Sequence, residues 1–297
     1  MYNQIASNKR RSWFLMIILT ILIVVVGYAG MLIYGFDYSV LIGAGIFAVI
    51  VNIIGYYQGG SIALAVNGAK KIEKNDNPYV YNMVENLAIT AGLPMPAVYI
   101  MQDQSLNAFA TGRDPQHSAV AVTTGIVQAL QNEELEGVLA HEMSHIKNYD
   151  IRIATLAVAL LGVIMILIDF FWRMGFLGIG RDNDRGKNPV FMIIGLILLI
   201  LAPIIGKLIQ LAVSRQREYM ADASGSLLTR YPTGLANALE KISHESRPMA
   251  HANNATAHLF FASPFGRGKV SFLSKFFSTH PPIEERIARL RQMGGGR

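Results

Sequence analysis

The sequence has no cysteine, an absence that excludes disulfide scaffolds, thiolate zinc knuckles, iron–sulfur clusters and cysteine nucleophiles together. Any metal must therefore be held by His, Asp or Glu. Charge is also scarce. Of the 297 residues 15% are Asp, Glu, Lys or Arg, 52% are apolar, and the mean hydropathy is +0.34, whereas ordinary soluble domains carry about 25% charged residues. That balance points to segments embedded in a membrane. In so apolar a chain the net charge of +6 suits anionic lipid head groups better than nucleic acid, and no nucleic-acid partner is expected.

No charge interrupts the run from Trp13 to Phe36, which as a helix is long enough to cross a hydrocarbon core of roughly 30 Å. It is too long for the apolar part of a secretory signal, and no small-residue cleavage site follows it. A second uncharged stretch, Tyr38 to Ala69, follows after a short turn, so residues 1–69 are expected to form a transmembrane hairpin. From Lys70 to about residue 151 the composition becomes that of a globular domain. A helix is expected over Val80–Ala91, strands over Ala97–Met101, Ser105–Gly112 and Ser118–Thr123, and a further helix starting at Asn132 as its N-cap and running through His145.

Residues 152–213 hold two more apolar segments, Ile153–Ile168 and Pro189–Gly206, the second extending toward Val213 with Lys207 and Gln210 as polar intrusions. The first is short for a span unless Asp169 and the trio Phe170, Phe171, Trp172 lie at the far interface. The bias of Lys and Arg places Lys9–Arg11 and Lys70–Lys74 in the cytoplasm. The intervening Arg173, Arg181, Arg185 and Lys187 are reconciled with this by a second hairpin whose two ends both return to the cytoplasmic side, fully crossing or partly embedded. Residues 214–297 are soluble again: a helical stretch to about Ser243, a Phe-rich region from Glu245 to Phe277, and a terminal amphipathic helix carrying Ile283, Ile287 and Leu290 on one face and Arg286 among its charges.

The chemistry is concentrated in His141-Glu142-Met143-Ser144-His145. On a helix, residues i and i+4 share a face about 6 Å apart, so two imidazoles can meet one ion. Glu142, rotated by roughly 100°, reaches a water on that ion as a general base without being a ligand. A catalytic zinc site takes three protein ligands and one open position. Glu218 is the candidate third ligand, and Asp222, one turn further, the candidate hydrogen-bond acceptor for the non-metal nitrogen of a histidine. The competing expectation pairs both acids with Arg215 or Arg217 on a wet helix face. Tyr219 has two open roles, packing or oxyanion donor, and His117, His244, His251 and His258 are assigned none.

These residues, together with Asn107-Ala108-Phe109-Ala110-Thr111-Gly112 and Thr279-His280-Pro281-Pro282, give the chain a resemblance along almost its whole length to the HtpX family of membrane-bound zinc endopeptidases, relatives of the CAAX prenyl proteases. The resemblance implies a mainly α membrane protein with a small β-sheet: four apolar helices, transmembrane or partly embedded, and a gluzincin-type zinc-peptidase domain. Residues 70–151 and 214–297 would be the two halves of that domain. It implies one Zn²⁺ per chain on His141, His145 and Glu218, and Glu142 as base. Asn107, Ala108, Phe109 and Ala110 would line a substrate-binding strand edge. His280 is the candidate catalytic donor to the oxyanion, or by family similarity a displaceable fourth ligand. The implied setting is the bacterial inner membrane with the catalytic domain facing the cytoplasm, where the enzyme degrades damaged membrane proteins and unfolded polypeptides. The rival expectations are a catalytically silent, chaperone-like membrane scaffold and a divalent-metal transporter. The former has no need of Glu142, and the latter places its ligands inside the spans.

Overall fold

The computed structural model describes residues 2–34, 37–177, 215–245, 247–266 and 281–295. Three helices are long and apolar enough to cross a membrane, with spans Ile5–Leu32 on α1 (Tyr2–Tyr34), Ser39–Val66 forming α2, and Asp150–Arg173 on α6 (Asp150–Leu177). Buried shares of 22% and 17% for the first two, against 50% for α6, make α6 the inner helix. Trp13, Ile17, Ile42 and Ile50 are left facing outward, as lipid-facing residues should be. The third segment reaches spanning length because α6 runs unbroken through Asp169 and the aromatic trio. The fourth apolar segment, Pro189–Val213, lies outside the described residues.

Between α2 and α6 the chain builds β1 (Ala69–Lys71), α3 (Pro78–Ala91), β2 (Ala97–Met101), β3 (Ala108–Asp114), β4 (His117–Thr123), α4 (Thr124–Ala129) and α5 (Asn132–Lys147). Helix α3 starts two residues before expectation because Asn77 accepts a hydrogen bond from the Val80 N–H at 3.1 Å and Pro78 occupies the first turn, where its missing N–H costs nothing. In α5 the Glu134 carboxylate reaches back to the Gln131 N–H at 2.7 Å, so Gln131 is the cap and Asn132 already helical.

The sheet has order β1-β2-β4-β3, with β2 and β4 parallel and the outer pairings antiparallel, so β3 is an edge. Its side chains alternate between two cores. Ala108, Ala110, Val120 and Val122 face α3, α5 and the later helices, whereas Phe109, Ala119 and Ala121 pack with Ala63 of α2 and Val158 of α6. The sheet is thereby fixed between the membrane helices and the helix that carries His141.

The expected single helix after residue 214 is two, α7 (Arg215–Thr229) and α8 (Pro232–His244), because Arg230 turns left-handed (φ 56°) ahead of Pro232. A 3₁₀ turn covers Ala257–Leu259, and α9 spans Ile283–Met293. The path from α5 to α6 is also broken. Tyr149 takes φ 61°, a left-handed conformation that costs a bulky residue on the order of 1 kcal/mol. The break returns Asp150, the first residue of α6, toward the end of α5.

Candidate metal centre

His141 and His145 sit one turn apart on the buried face of α5 with their Nε2 atoms 3.1 Å apart. Helix α7 meets this face at backbone distance: a Cβ on Gly225 would lie 2.9 Å from the His141 nitrogen, so only glycine permits the approach. Close packing delivers Glu218, whose Oε2 is 3.7 Å from His141 Nε2 and whose Oε1 is 3.5 Å from His145 Nε2. Ligands ~2.0–2.1 Å from a tetrahedral ion stand ~3.3 Å apart, so the three separations bracket what one ion requires. The ligand atoms all lie within 4.8 Å of one another.

Both imidazoles are aimed by carboxylates behind them. Asp222 Oδ1 lies 2.9 Å from His141 Nδ1, and Asp150 Oδ2 lies 3.1 Å from His145 Nδ1. The pairing of Asp222 with Arg215 or Arg217 does not form. Its partner is Arg286 of α9, fully buried, which donates at 2.9 and 2.7 Å to the two carboxylate oxygens and stacks over Phe261 at 4.9 Å. The terminal helix therefore does not keep Arg286 on its wet face; it inserts a guanidinium beneath the site. Arg217 belongs to the other carboxylate: with Asn8 of α1 it donates to Asp150 Oδ1, at 3.0 and 2.7 Å.

Before an ion arrives, this surrounding sets opposite proton affinities. Burial disfavours the charged form of His141 and outweighs the bond to Asp222, lowering its pKa to about 4. At His145 burial acts the same way, but the Asp150 bond and the charges of Glu218, Asp150 and Glu142 prevail, raising it to about 9. For Asp222 burial is overcome by Arg286 and His141, and its pKa falls to about 2. Metal binding must therefore displace a proton from His145, so affinity falls as pH drops.

A cavity of about 40 Å³, lined by His141, Glu142, His145, Glu218, Ala110 and His258 among others, has room for a water beside the ion. Glu142 is buried and faces it without belonging to the ligand cluster. Asn107 is buried, and its side chain holds the Ala262 backbone through two hydrogen bonds, at 2.9 and 3.0 Å. Phe109 points into the opposite core against Phe260, ring centroids 5.1 Å apart. Tyr219 faces away from the cavity, donating its hydroxyl to Glu285 under Arg289, which removes it as an oxyanion donor. His280 lies outside the described residues. Sequence reasoning missed Asp150, Arg286, Arg217, Asn8 and His258. Only Asp150, five residues after His145, carried a local signal.

Two histidines and a glutamate around a cavity, on helices packed against membrane spans, define the class: a membrane-embedded metallopeptidase. Residues 74–294 match the model of "Peptidase family M48". The protein "Protease HtpX homolog" of Dictyoglomus turgidum is 47% identical over 293 residues, 99% of this chain and 95% of that one, and its namesake in Tropheryma whipplei 46% identical over 301 residues, 99% of each. The solved structure of S. mikatae Ste24p shares 18% identity, covering 98% of this chain and 67% of that one, with a TM-score of 0.49. The chain belongs to peptidase family M48, among its HtpX members.

Removing the carboxylates behind the ligands tests the geometry. Asp222→Asn and Asp150→Asn are each expected to weaken metal binding about 10–100-fold in competition with a chelator. Unchanged competition in both would show that these acids do not orient the imidazoles.

Proposed function

We propose that the centre holds zinc and that the enzyme hydrolyses peptide bonds in damaged or misfolded membrane proteins and unfolded polypeptides, acting at the cytoplasmic face of the bacterial inner membrane in protein quality control. The donor set supports zinc: two imidazoles and a carboxylate without a thiolate are ligands of catalytic rather than structural sites. His141, His145 and Glu218 would hold the zinc, which when bound would supply Lewis acidity, lowering the pKa of water toward neutrality and polarising the scissile carbonyl.

The chain's own residues do the rest. Glu142 takes the proton of the attacking water and returns it to the leaving amine. Asp222 and Asp150 hold Nε2 of each histidine toward the centre, and Arg286 keeps the buried acids from repelling one another. His280 would donate to the oxyanion. On the β3 edge the Ala108 carbonyl accepts from Phe261 N–H at 2.8 Å, and Gly112 N–H donates to Thr155 Oγ1 at 3.1 Å. Strand alternation turns the intervening Ala110 backbone the same way, toward the cavity it lines. An extended peptide would lie there, with Asn107 fixing one end of the edge.

The observation that carries the substrate proposal is that Asp150, the first residue of the span on α6, bonds a metal-site histidine directly. That contact supports a cavity at the mouth of the membrane helices, within reach of loops and tails but not of a span's midpoint. The purified enzyme is expected to cut the unfolded tail of a membrane protein roughly tenfold or more faster than the same tail folded. Cleavage inside the span, or equal rates on both tails, would overturn the assignment.

A further inference from the structure

One set of contacts lies outside the metal centre and joins all three spans. Lys9 of α1 sits over the Tyr149 ring at 5.0 Å, Arg152 of α6 over Tyr149 at 5.1 Å and over Tyr56 of α2 at 5.5 Å, and Arg113 at the end of β3 over Tyr57 at 4.9 Å. Arg152 also donates to the Arg113 carbonyl. Beside this belt a cleft of about 240 Å³ is lined by Tyr57, Gly60, Ser61, Arg113, His117 and Ser118.

Helix length places the belt at the membrane boundary. The 28 residues of α2 rise about 42 Å, some 12 Å more than a hydrocarbon core. Counting ~20 residues from Ser39 brings the boundary to the neighbourhood of Tyr56, Tyr57 and Gly60. The spans on α1 and α6 begin at Ile5 and Asp150, which sets Lys9 and Arg152 close to the same end. Among the described residues neither Lys9 nor Arg152 has an ion-pair partner. Arg113 has Asp114 at 3.6 Å, a carboxylate that His117 also engages, at 2.7 Å. A tyrosine face under a cation keeps the charge and its donors available while the ring stays in the interface. The chemistry facing the boundary is thus several guanidinium and ammonium groups with hydroxyls beside them.

We propose that this belt and its cleft bind the phosphate of an anionic phospholipid head group, seating the catalytic domain on the bilayer. Arg152 and Arg113 hold the phosphate oxygens, and the serine and tyrosine hydroxyls of the cleft meet the head group's polar end. Tyr149 and Arg152 flank Asp150 in the chain, so the bound lipid lies beside the carboxylate that aims His145.

The test uses the full-length protein in mixed detergent micelles, with energy transfer from its tryptophans to a dansyl-labelled phosphatidylglycerol. Unlabelled phosphatidylglycerol should displace the probe and phosphatidylcholine at the same mole fraction should not. Arg113→Gln and Arg152→Gln should each raise the half-saturating mole fraction about fivefold, the factor equivalent to ~1 kcal/mol per basic side chain at an anionic surface. Arg291→Gln on α9 should leave it unchanged. If either arginine variant melts early, Tyr57→Leu, which alters an exposed ring, decides by weakening binding at least twofold. Equal displacement by phosphatidylcholine, wild-type binding by the folded arginine variants or by Tyr57→Leu, or displacement by millimolar inorganic phosphate as effective as by the lipid would each overturn the proposal.

Discussion

Glu142→Gln is expected to leave the protein folded and its metal content unchanged while lowering the turnover of an unfolded casein substrate by ~10²–10⁴. Gln has the shape of Glu and can still hydrogen-bond a water, but it cannot take its proton. Glu142 stands next to His141 in the chain yet lies outside the cluster that fits one ion, so metal content should not depend on its charge. The amide fits the cavity that Glu142 lines, so the expected change is confined to proton transfer. Elemental analysis and initial rates on the same preparation check both halves. Turnover equal to wild type would remove Glu142 as base, and loss of metal would make it a ligand.

Glu218→Ala has the other large effect. With two imidazoles left and no carboxylate, metal affinity should fall by ~10²–10³, roughly 3–4 kcal/mol, and activity should vanish at ordinary metal concentrations. The side chain is buried at 2% exposure and also stands 3.9 Å from the Arg286 guanidinium. Its loss therefore also changes the charge balance beneath the site. Glu218→Gln separates the two effects: if packing alone mattered, the amide would restore metal binding in full. Partial or no restoration assigns the deficit to the missing charge, and chelator competition on the three proteins reads it.

Much of this centre was legible in the chain because its ligands are local. His141 and His145 are one helical turn apart, and Glu218 and Asp222 are another such pair, so helical periodicity alone aligned four of the groups. The span hairpin was legible for a similar reason, since α1 and α2 each carry a long run without charge, from Trp13 in the first and throughout the second. What stayed hidden is what crosses long stretches of sequence. Arg286 looks like any cation on an amphipathic helix until α9 docks and leaves it fully buried against Asp222, 64 residues away. Asn8 reads as a tail residue before a span, yet it bonds Asp150 across 142 positions. Tyr149 hides the break between α5 and α6, since no glycine or proline marks it, and the left-handed turn is imposed by packing and the Asp150–His145 contact. The edge strand was found by resemblance, but its occupation by Phe261 and Thr155 at either side of Ala110 required the fold.

Helices α5 and α7, far apart in the chain, bring His141, His145 and Glu218 together around a site for one cation. The most direct measurement is diffraction from Glu142→Gln protein crystallised with zinc, with anomalous maps on both sides of the zinc absorption edge. One peak per chain is expected, ~2.0–2.2 Å from His141 Nε2, His145 Nε2 and a Glu218 carboxylate oxygen. A peak that excludes Glu218, or zinc bound only elsewhere in the chain, would contradict it.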